Sequence, residues 1–179
     1  MKRTCLLIIL LSSILVSNAQ KFITEKSEIS FFSEALLENI EAINTKAISI
    51  LDSENGEIVF SIPMKEFQFK KSLMQEHFNE KYIESHKYPK STFNGKILDF
   101  NMKEGKRAAS AEGEMKIHGV TKKVKFDGEL EIKDGKIFIT LSFQVKIEDY
   151  KIKIPKLFFQ NIAEIVDVKV DLEYKKYEK

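Results

Sequence analysis

Apolar and polar residues alternate between Ala111 and Ile147, in three segments joined by glycine-containing turns. Because the side chains of a strand point alternately to its two faces, this period of two predicts three antiparallel strands with one polar and one apolar face. The apolar positions are Ala111, Gly113, Met115 and Ile117, then Val120, Val124, Phe126, Gly128, Leu130 and Ile132, then Ile137, Ile139, Leu141, Phe143, Val145 and Ile147. So long an apolar face must be covered by the rest of the protein or used for binding.

Shorter segments on both sides of this meander also carry strand patterns. They are residues 29–32, 47–51, 58–62, 92–100 and 166–174. Residues 36–43 are predicted to be an irregular or briefly helical connection. The run Ser-Glu-Asn-Gly at residues 53–56 predicts a hairpin turn, because Asn-Gly readily takes positive φ angles.

Two segments depart from the strand period. Met74, Phe78 and Tyr82 recur at a spacing of four, which predicts a short amphipathic helix over residues 71–85. The pair Tyr88-Pro89 closes this segment, because the residue before proline disfavours the α conformation. Residues 155–163 are predicted to form a second short helix.

The elements add up to about eight strands and two short helices, so we predict an all-β fold. At this strand number an antiparallel sheet can close into a barrel, which removes its exposed edges. Such a barrel is just wide enough to enclose one small or elongated ligand. The chain has fourteen phenylalanines and no tryptophan, which favours an aromatic and aliphatic interior.

The first nineteen residues have the organisation of a secretory signal peptide. Lys2 and Arg3 precede an apolar run over residues 6–16, and small residues lead to a predicted cleavage site after Ala19. The run is shorter than the roughly 20 residues of a transmembrane helix, so no transmembrane segment is predicted. We therefore expect residues 20–179 to form one exported domain, periplasmic or secreted. Cys5 is the only cysteine, so the mature chain would have no thiol for disulfide or redox chemistry.

Charge gives no indication of a nucleic-acid partner. Without Lys2 and Arg3, the expected mature chain has 27 basic and 27 acidic residues. Nucleic-acid-binding domains usually carry a basic excess gathered on one face. The oligomeric state is left open by the sequence.

The sequence offers little for catalysis or metal binding. Glu76, His77 and Glu80, with His86 and His118 elsewhere, are the candidate metal ligands, but the whole chain has only three histidines. Packing or capping roles are therefore the favoured interpretation for His77, and a structural role at its turn for His118. No nucleophile elbow, phosphate-binding loop or zinc-protease motif occurs, so neither an enzyme nor a cofactor is predicted.

Four stretches together resemble the YceI-like family. They are residues 73–85 (LMQEHFNEKYIES), 87–89 (KYP), 93–97 (FNGKI) and 113–122 (GEMKIHGVTK). The order of elements agrees with that family over essentially the whole mature chain. The resemblance implies a lipocalin-like antiparallel β-barrel, secreted or periplasmic, that encloses an isoprenoid or another long apolar chain such as a quinone or a fatty acyl group.

The apolar face supplies the predicted ligand-lining residues. They are Phe60, Met115, Ile117, Val124, Phe126, Leu130, Leu141, Phe143, Val168 and Val170. Two alternatives remain open at this point: a barrel filled by its own side chains, serving as a structural or interaction protein of the cell envelope, and an enzyme of isoprenoid or lipid chemistry. A continuous apolar cavity of several hundred Å³ would favour a ligand carrier, whereas a packed interior would favour the interaction role.

Overall fold

The predicted meander forms three consecutive long strands. A computed structural model describes residues 20–34, 39–154 and 163–178. Its strands are β1 (Lys21–Ser33), β2 (Ile40–Asn44), β3 (Ile48–Asp52), β4 (Glu57–Pro63), β5 (Gln68–Phe69), β6 (Lys90–Ile97), β7 (Gly105–Ile117), β8 (Val120–Lys133), β9 (Lys136–Lys146) and β10 (Ile165–Lys176). The turns that join β7 to β8 and β8 to β9 lie at His118-Gly119 and Asp134-Gly135, where all four residues have positive φ. This is the hairpin geometry that matches the twist of antiparallel strands.

Eight of the described strands close into an antiparallel barrel. Their order is β10, β9, β8, β7, β6, β4, β3 and β1, and β1 closes the barrel by pairing with β10. The two remaining strands extend the sheet: β2 pairs with residues 29–33 of β1, and β5 pairs with β2. The all-β, lipocalin-like barrel predicted from the sequence is therefore confirmed.

Strand β1 begins earlier than its apolar pattern indicates. The strand pattern was clear over residues 29–32, but pairing with β10 starts at Phe22. The register shifts between Thr24 and Lys26, so one extra residue is inserted and the buried positions change from even to odd numbers. Because the bulge interrupts the alternation of buried and exposed residues, the sequence pattern does not indicate the first half of the strand.

The prediction of an irregular or briefly helical connection over residues 36–43 is wrong from residue 40 onward. Residues 40–44 form β2, which pairs with β1 in the register Ile29 to Asn44. The strand is short, and only Ala42 and Asn44 are buried, so its pattern carries little signal. Residues 35–38 lie outside the described part of the chain.

The helix predicted over residues 71–85 is present but changes its winding. Helix α1 (Ser72–His77) continues into a π-helical turn at Phe78–Tyr82, in which the Ile83 amide donates to the Phe78 carbonyl. The second helix, predicted over residues 155–163, lies outside the described residues except for Ala163. No helix in the described ranges is long and apolar enough to cross a membrane.

One end of the barrel is packed solid. This filled end consists of six residues with 2% exposure or less, namely Phe22, Leu51, Leu130, Ile132, Ile137 and Tyr174. The Tyr174 hydroxyl donates to the Ser49 Oγ at 2.7 Å, which satisfies the polar groups within the apolar packing. The opposite end, which we call the capped end, carries α1, the π-helical turn and a 3₁₀ turn at Ile147–Tyr150.

The barrel wall changes character between β8 and β9. Their pairing runs from Lys133 and Lys136 to Gly128 and Leu141, and does not continue toward the capped end. At Gly128 a side chain would meet the Thr140 carbonyl at 2.6 Å, so the close approach of the two strands there requires glycine. Between this point and the capped end, β8 still pairs with β7 and β9 still pairs with β10. There, side chains rather than backbone hydrogen bonds connect β8 to β9.

Candidate ligand-binding cavity

The part of the barrel next to the capped end contains a cavity of about 630 Å³. Its wall is formed by inward side chains of seven barrel strands, and its cap by residues between β4 and β6 and residues that follow β9. The lining residues are Ile29, Phe31, Ser33, Ile40, Ile58, Phe60, Ile62, Met64, Phe67, Phe69, Leu73, Met74, His77, Phe78, Tyr82, Ile83, Ser91, Thr92, Phe93, Ile97, Ala111, Met115, Ile117, Phe126, Ile139, Leu141, Phe143, Val145, Ile147, Ile152, Ile154, Val166, Val168, Val170 and Leu172. This composition is overwhelmingly apolar, as expected for a space that holds a hydrocarbon chain.

The predicted ligand-lining residues divide into two groups. Eight of them line the cavity: Phe60, Met115, Ile117, Phe126, Leu141, Phe143, Val168 and Val170. Leu130 is outside it and belongs to the filled end, with 1% exposure. Val124 packs against a separate small core formed by Met115, Val145 and Tyr150. The period-two pattern therefore identified the inward face but not the depth at which the cavity stops.

The cap of the cavity is aromatic, and sequence reasoning missed most of it. Phe31, Phe67, Phe69 and Phe78 form a cluster in which the ring centroids of neighbours lie 5.1 to 5.7 Å apart. They come from β1, from the connection after β4, from β5 and from the π-helical turn, so no single local pattern groups them. The four-residue spacing of Met74, Phe78 and Tyr82 was the one available signal, because that helical face points into the cavity.

The cavity meets solvent beside α1. Leu73 lines it and is nevertheless 59% exposed, whereas Ile83 at the other end of this segment is 3% exposed.

The lining contains few polar groups, and some of them are engaged within the protein. The Ser33 Oγ accepts a hydrogen bond from the Ala163 amide, and the Ser91 hydroxyl donates to the Met64 sulfur. His77 and Tyr82 stand at the capped end, and burial raises the pKa of the Tyr82 phenol. His77 and Tyr82 thus place polar groups of the lining at the capped end, and most of the remaining wall is apolar.

His118 ties the β7–β8 turn to two other segments at the capped end. Its Nδ1 lies 3.1 Å from the Tyr150 carbonyl oxygen, and its Nε2 lies 3.1 Å from the Glu84 Oε2. The Tyr150 carbonyl and the Glu84 carboxylate are both hydrogen-bond acceptors, so the ring holds each of them through a nitrogen that carries a proton when it donates. Hydrogen bonds from Lys87 and then from His118 lower the pKa of the Glu84 carboxyl.

The neighbouring glycine makes this junction possible. Gly119 has φ +76°, and a Cβ there would lie 2.6 Å from the Tyr88 ring. That ring stands edge-on to the His118 ring, with centroids 4.4 Å apart. His118 thus has a structural role, as expected, but its partners Glu84 and Tyr150 lie far along the chain from its own turn.

The candidate metal ligands do not assemble. Within the described residues, no group of three or more His, Cys, Asp or Glu side chains is arranged to hold a metal ion. Glu76, Glu80 and His86 are exposed, whereas His77 lines the cavity and His118 is held by Glu84 and Tyr150.

Comparison with solved structures finds the same barrel in several bacterial proteins. A polyisoprenoid-binding domain from Saccharophagus degradans, implicated in plant cell wall breakdown, is 13% identical with a TM-score of 0.75, over 87% of this chain and 98% of that one. BcnA from Burkholderia cenocepacia is 15% identical with a TM-score of 0.70, over 82% and 95% of the two chains. A Campylobacter jejuni YCEI protein is 16% identical with a TM-score of 0.52, over 100% of both. At these identities the likeness concerns the fold.

Sequence comparison supplies the family. No curated protein matches the chain significantly. A family model described as a YceI-like domain, however, matches residues 21–174, from the first residue of β1 to Tyr174 in β10. The chain therefore belongs to the YceI-like family.

Proposed function

We propose that this protein is a carrier that holds one long apolar chain inside its barrel and performs no chemistry on it. The observation that carries the proposal is the apolar cavity of about 630 Å³ inside a closed barrel. Its volume falls within the range of about 300 to 1,000 Å³ that is typical of ligand pockets. A barrel used only as a scaffold would gain stability by filling this space.

The ligand class follows from the lining. Burial of apolar surface contributes about 25 cal/mol per Å², so a long chain can bind firmly without a charged partner. Isoprenoid, quinone and fatty-acyl tails all meet this requirement. The description of the Saccharophagus degradans neighbour as a polyisoprenoid-binding domain supports the same class. We infer that Phe60, Met115, Phe126, Leu141 and Phe143 contact the chain, together with Ile117, Val168 and Val170.

Absence of catalysis is part of the proposal. The hydroxyls of Ser33 and Ser91 are both engaged in hydrogen bonds within the protein, and no nucleophile motif occurs in the sequence. The alternative of a filled barrel that serves as an envelope interaction protein is disfavoured by the cavity volume.

Location completes the proposal. The order of charged, apolar and small residues in residues 1–19 supports export and cleavage after Ala19. A carrier outside the cytoplasm would shield an apolar chain from water between membranes. Recovery of mature protein that begins at Gln20 is the expected result of N-terminal sequencing, and an intact Met1 on the exported protein would contradict it.

The test of binding is to express the full chain with its own leader and purify it without detergent. Native mass spectrometry should show a complex heavier than the polypeptide, and solvent extraction should release a lipid of one chain type. The matched control is an unrelated exported protein of similar size prepared in parallel. A bare polypeptide mass, together with no uptake of polyprenyl, quinone or fatty-acyl probes, would overturn the carrier proposal and favour the envelope interaction role.

A further inference from the structure

One stretch of the described barrel wall has no backbone pairing. The ladder between β8 and β9 ends at Gly128 and Leu141. We call the stretch between this point and the capped end, residues 120–127 of β8 and 142–146 of β9, the seam. A wall that is closed by side chains can open without breaking a ladder of backbone hydrogen bonds.

The side chains that close the seam belong partly to the cavity. The rings of Phe126 and Phe143 lie 4.4 Å apart across it, and Val124 packs against the small core that contains Val145. Phe126, Phe143 and Val145 also line the cavity. The cavity therefore lies directly behind the seam.

Lys122 interrupts the apolar face of β8 at the seam. The other positions on this face are Val120, Val124, Phe126, Gly128, Leu130 and Ile132. Lys122 pairs with Met115 of β7, which lines the cavity, and directly paired residues point to the same side of a sheet. A charged side chain on the apolar side of a barrel is unfavourable unless it reaches a partner or water. Packing therefore does not explain a lysine at this position.

The partners of Lys122 lie on the other side of the seam. Its Nζ is 2.9 Å from the Asp149 Oδ2 and 5.8 Å from the centroid of the Tyr150 ring, both in the 3₁₀ turn that follows β9. The Tyr150 carbonyl is also held by His118, from the turn that precedes β8. Polar contacts thus join the two sides of the seam at the capped end, where the backbone ladder does not.

We propose that the seam is a lateral opening of the barrel, and that the ion pair of Lys122 with Asp149 is the latch that holds it closed. The inference rests on the proposed carrier function, because it names the route by which a ligand enters and leaves. The two side chains are 38% and 48% exposed, and ion pairs of this kind change an equilibrium by about fivefold or less. The latch is therefore weak enough to release, whereas the ladder below Gly128 stays paired.

Thiol labelling measures the opening without any ligand. Val145→Cys places a thiol behind the seam, at a position 8% exposed, in the full chain with Cys5→Ser. We expect Lys122→Met to raise the rate of its reaction with a water-soluble maleimide by up to about fivefold. Lys106→Met is the matched control, because it breaks an ion pair with Glu129 of 2.8 Å outside the seam. Equal labelling rates in the two backgrounds would overturn the latch.

Salt provides a second measurement on the same thiol. Because salt screens an exposed ion pair, labelling of Val145→Cys should become faster as salt is added while Lys122 is present. In the Lys122→Met background the rate should no longer depend on salt. A salt dependence of the same size in both backgrounds would assign it to other charges and contradict the latch.

A cross-link across the seam tests the route. Lys125→Cys with Gln144→Cys joins outward positions on its two sides through a bis-maleimide whose linker contains a disulfide. Glu129→Cys with Thr140→Cys, joined in the same way, is the matched control, because these positions already pair in the ladder. Each double variant loses one ion pair and one side-chain hydrogen bond.

Both proteins are loaded with cis-parinaric acid, a fluorescent fatty acid, and its release to phosphatidylcholine vesicles is followed. We expect the cross-link across the seam to slow release and reduction of the linker to restore it, whereas the control cross-link has no effect. Equal release from the two cross-linked proteins would overturn the seam as the route. Failure of the wild-type protein to bind the probe would overturn the carrier function instead, and the labelling rates would still decide whether the seam opens.

Discussion

The rings of Phe126 and Phe143 lie 4.4 Å apart, centroid to centroid, at a level of the barrel where their strands no longer pair. Phe126 also contacts Phe93 at 5.5 Å, on the far side of β7. The three rings thus connect β6, β8 and β9 and close a part of the wall that lacks backbone hydrogen bonds. Because Phe126 and Phe143 also line the cavity, the same contact supports the fold and shapes the site.

The change Phe143→Leu tests this double role. Leucine keeps most of the apolar area, and such core replacements cost about 1.5 kcal/mol or less. We expect a folded protein with a modest loss in unfolding free energy and an altered preference among ligand chains, because the bore is changed. Urea titration and lipid extraction measure the two effects. Phe138→Leu, on the opposite face of β9, is the matched control, and an equal change of chain preference in both variants would contradict a lining role for Phe143.

Loss of His118 should loosen the capped end. Substitution by alanine removes the donor to the carbonyl of Tyr150, a residue only 3% exposed, and a buried acceptor without a partner costs about 1 to 3 kcal/mol. We expect a lower melting temperature and faster exchange of the amides of residues 147–152. His86→Ala, at an exposed histidine, is the control. If both variants melted at the wild-type temperature, the junction would contribute nothing to stability.

Acid should remove a specific contribution of Glu173. Hydrogen bonds from Lys136 at 2.6 Å and Lys26 at 2.9 Å lower the pKa of its carboxyl to about 2. A carboxyl with a lowered pKa in the folded state stabilises it above the unfolded pKa, near 4.5, and the contribution disappears as the pH falls toward 2. At neutral pH the wild-type protein should therefore have a higher melting temperature than Glu173→Gln. This difference should disappear as the pH falls from about 4.5 to about 2. A difference independent of pH would show that the charge is not responsible.

Chelators should leave the protein unchanged. The sequence predicts no metal site, and the described residues gather no cluster of metal-ligating side chains. The melting temperature is expected to be the same with and without a chelator. A loss of several degrees that zinc restores would revive the interpretation of Glu76, His77 and Glu80 as ligands.

The sequence by itself determined the barrel. The alternation from Ala111 to Ile147 specifies an inward and an outward face because strand geometry has a period of two, and two positive-φ turns fix the register of the three strands. The strand signal faded where the backbone departs from regularity, at the bulge of β1 and in the short β2. The spacing of Met74, Phe78 and Tyr82 indicated a helix but not the π-helical turn after α1.

Only the tertiary structure decided where the inward face is a ligand site and where it is core. Leu130 and Leu141 have the same pattern on neighbouring strands, yet Leu130 belongs to the filled end and Leu141 lines the cavity. The cap likewise brings together Phe31, Phe67 and Phe78 from separate segments. A local pattern states which face a side chain takes, but cavity depth depends on how side chains from all eight barrel strands fill a shared volume, and no single segment contains that information.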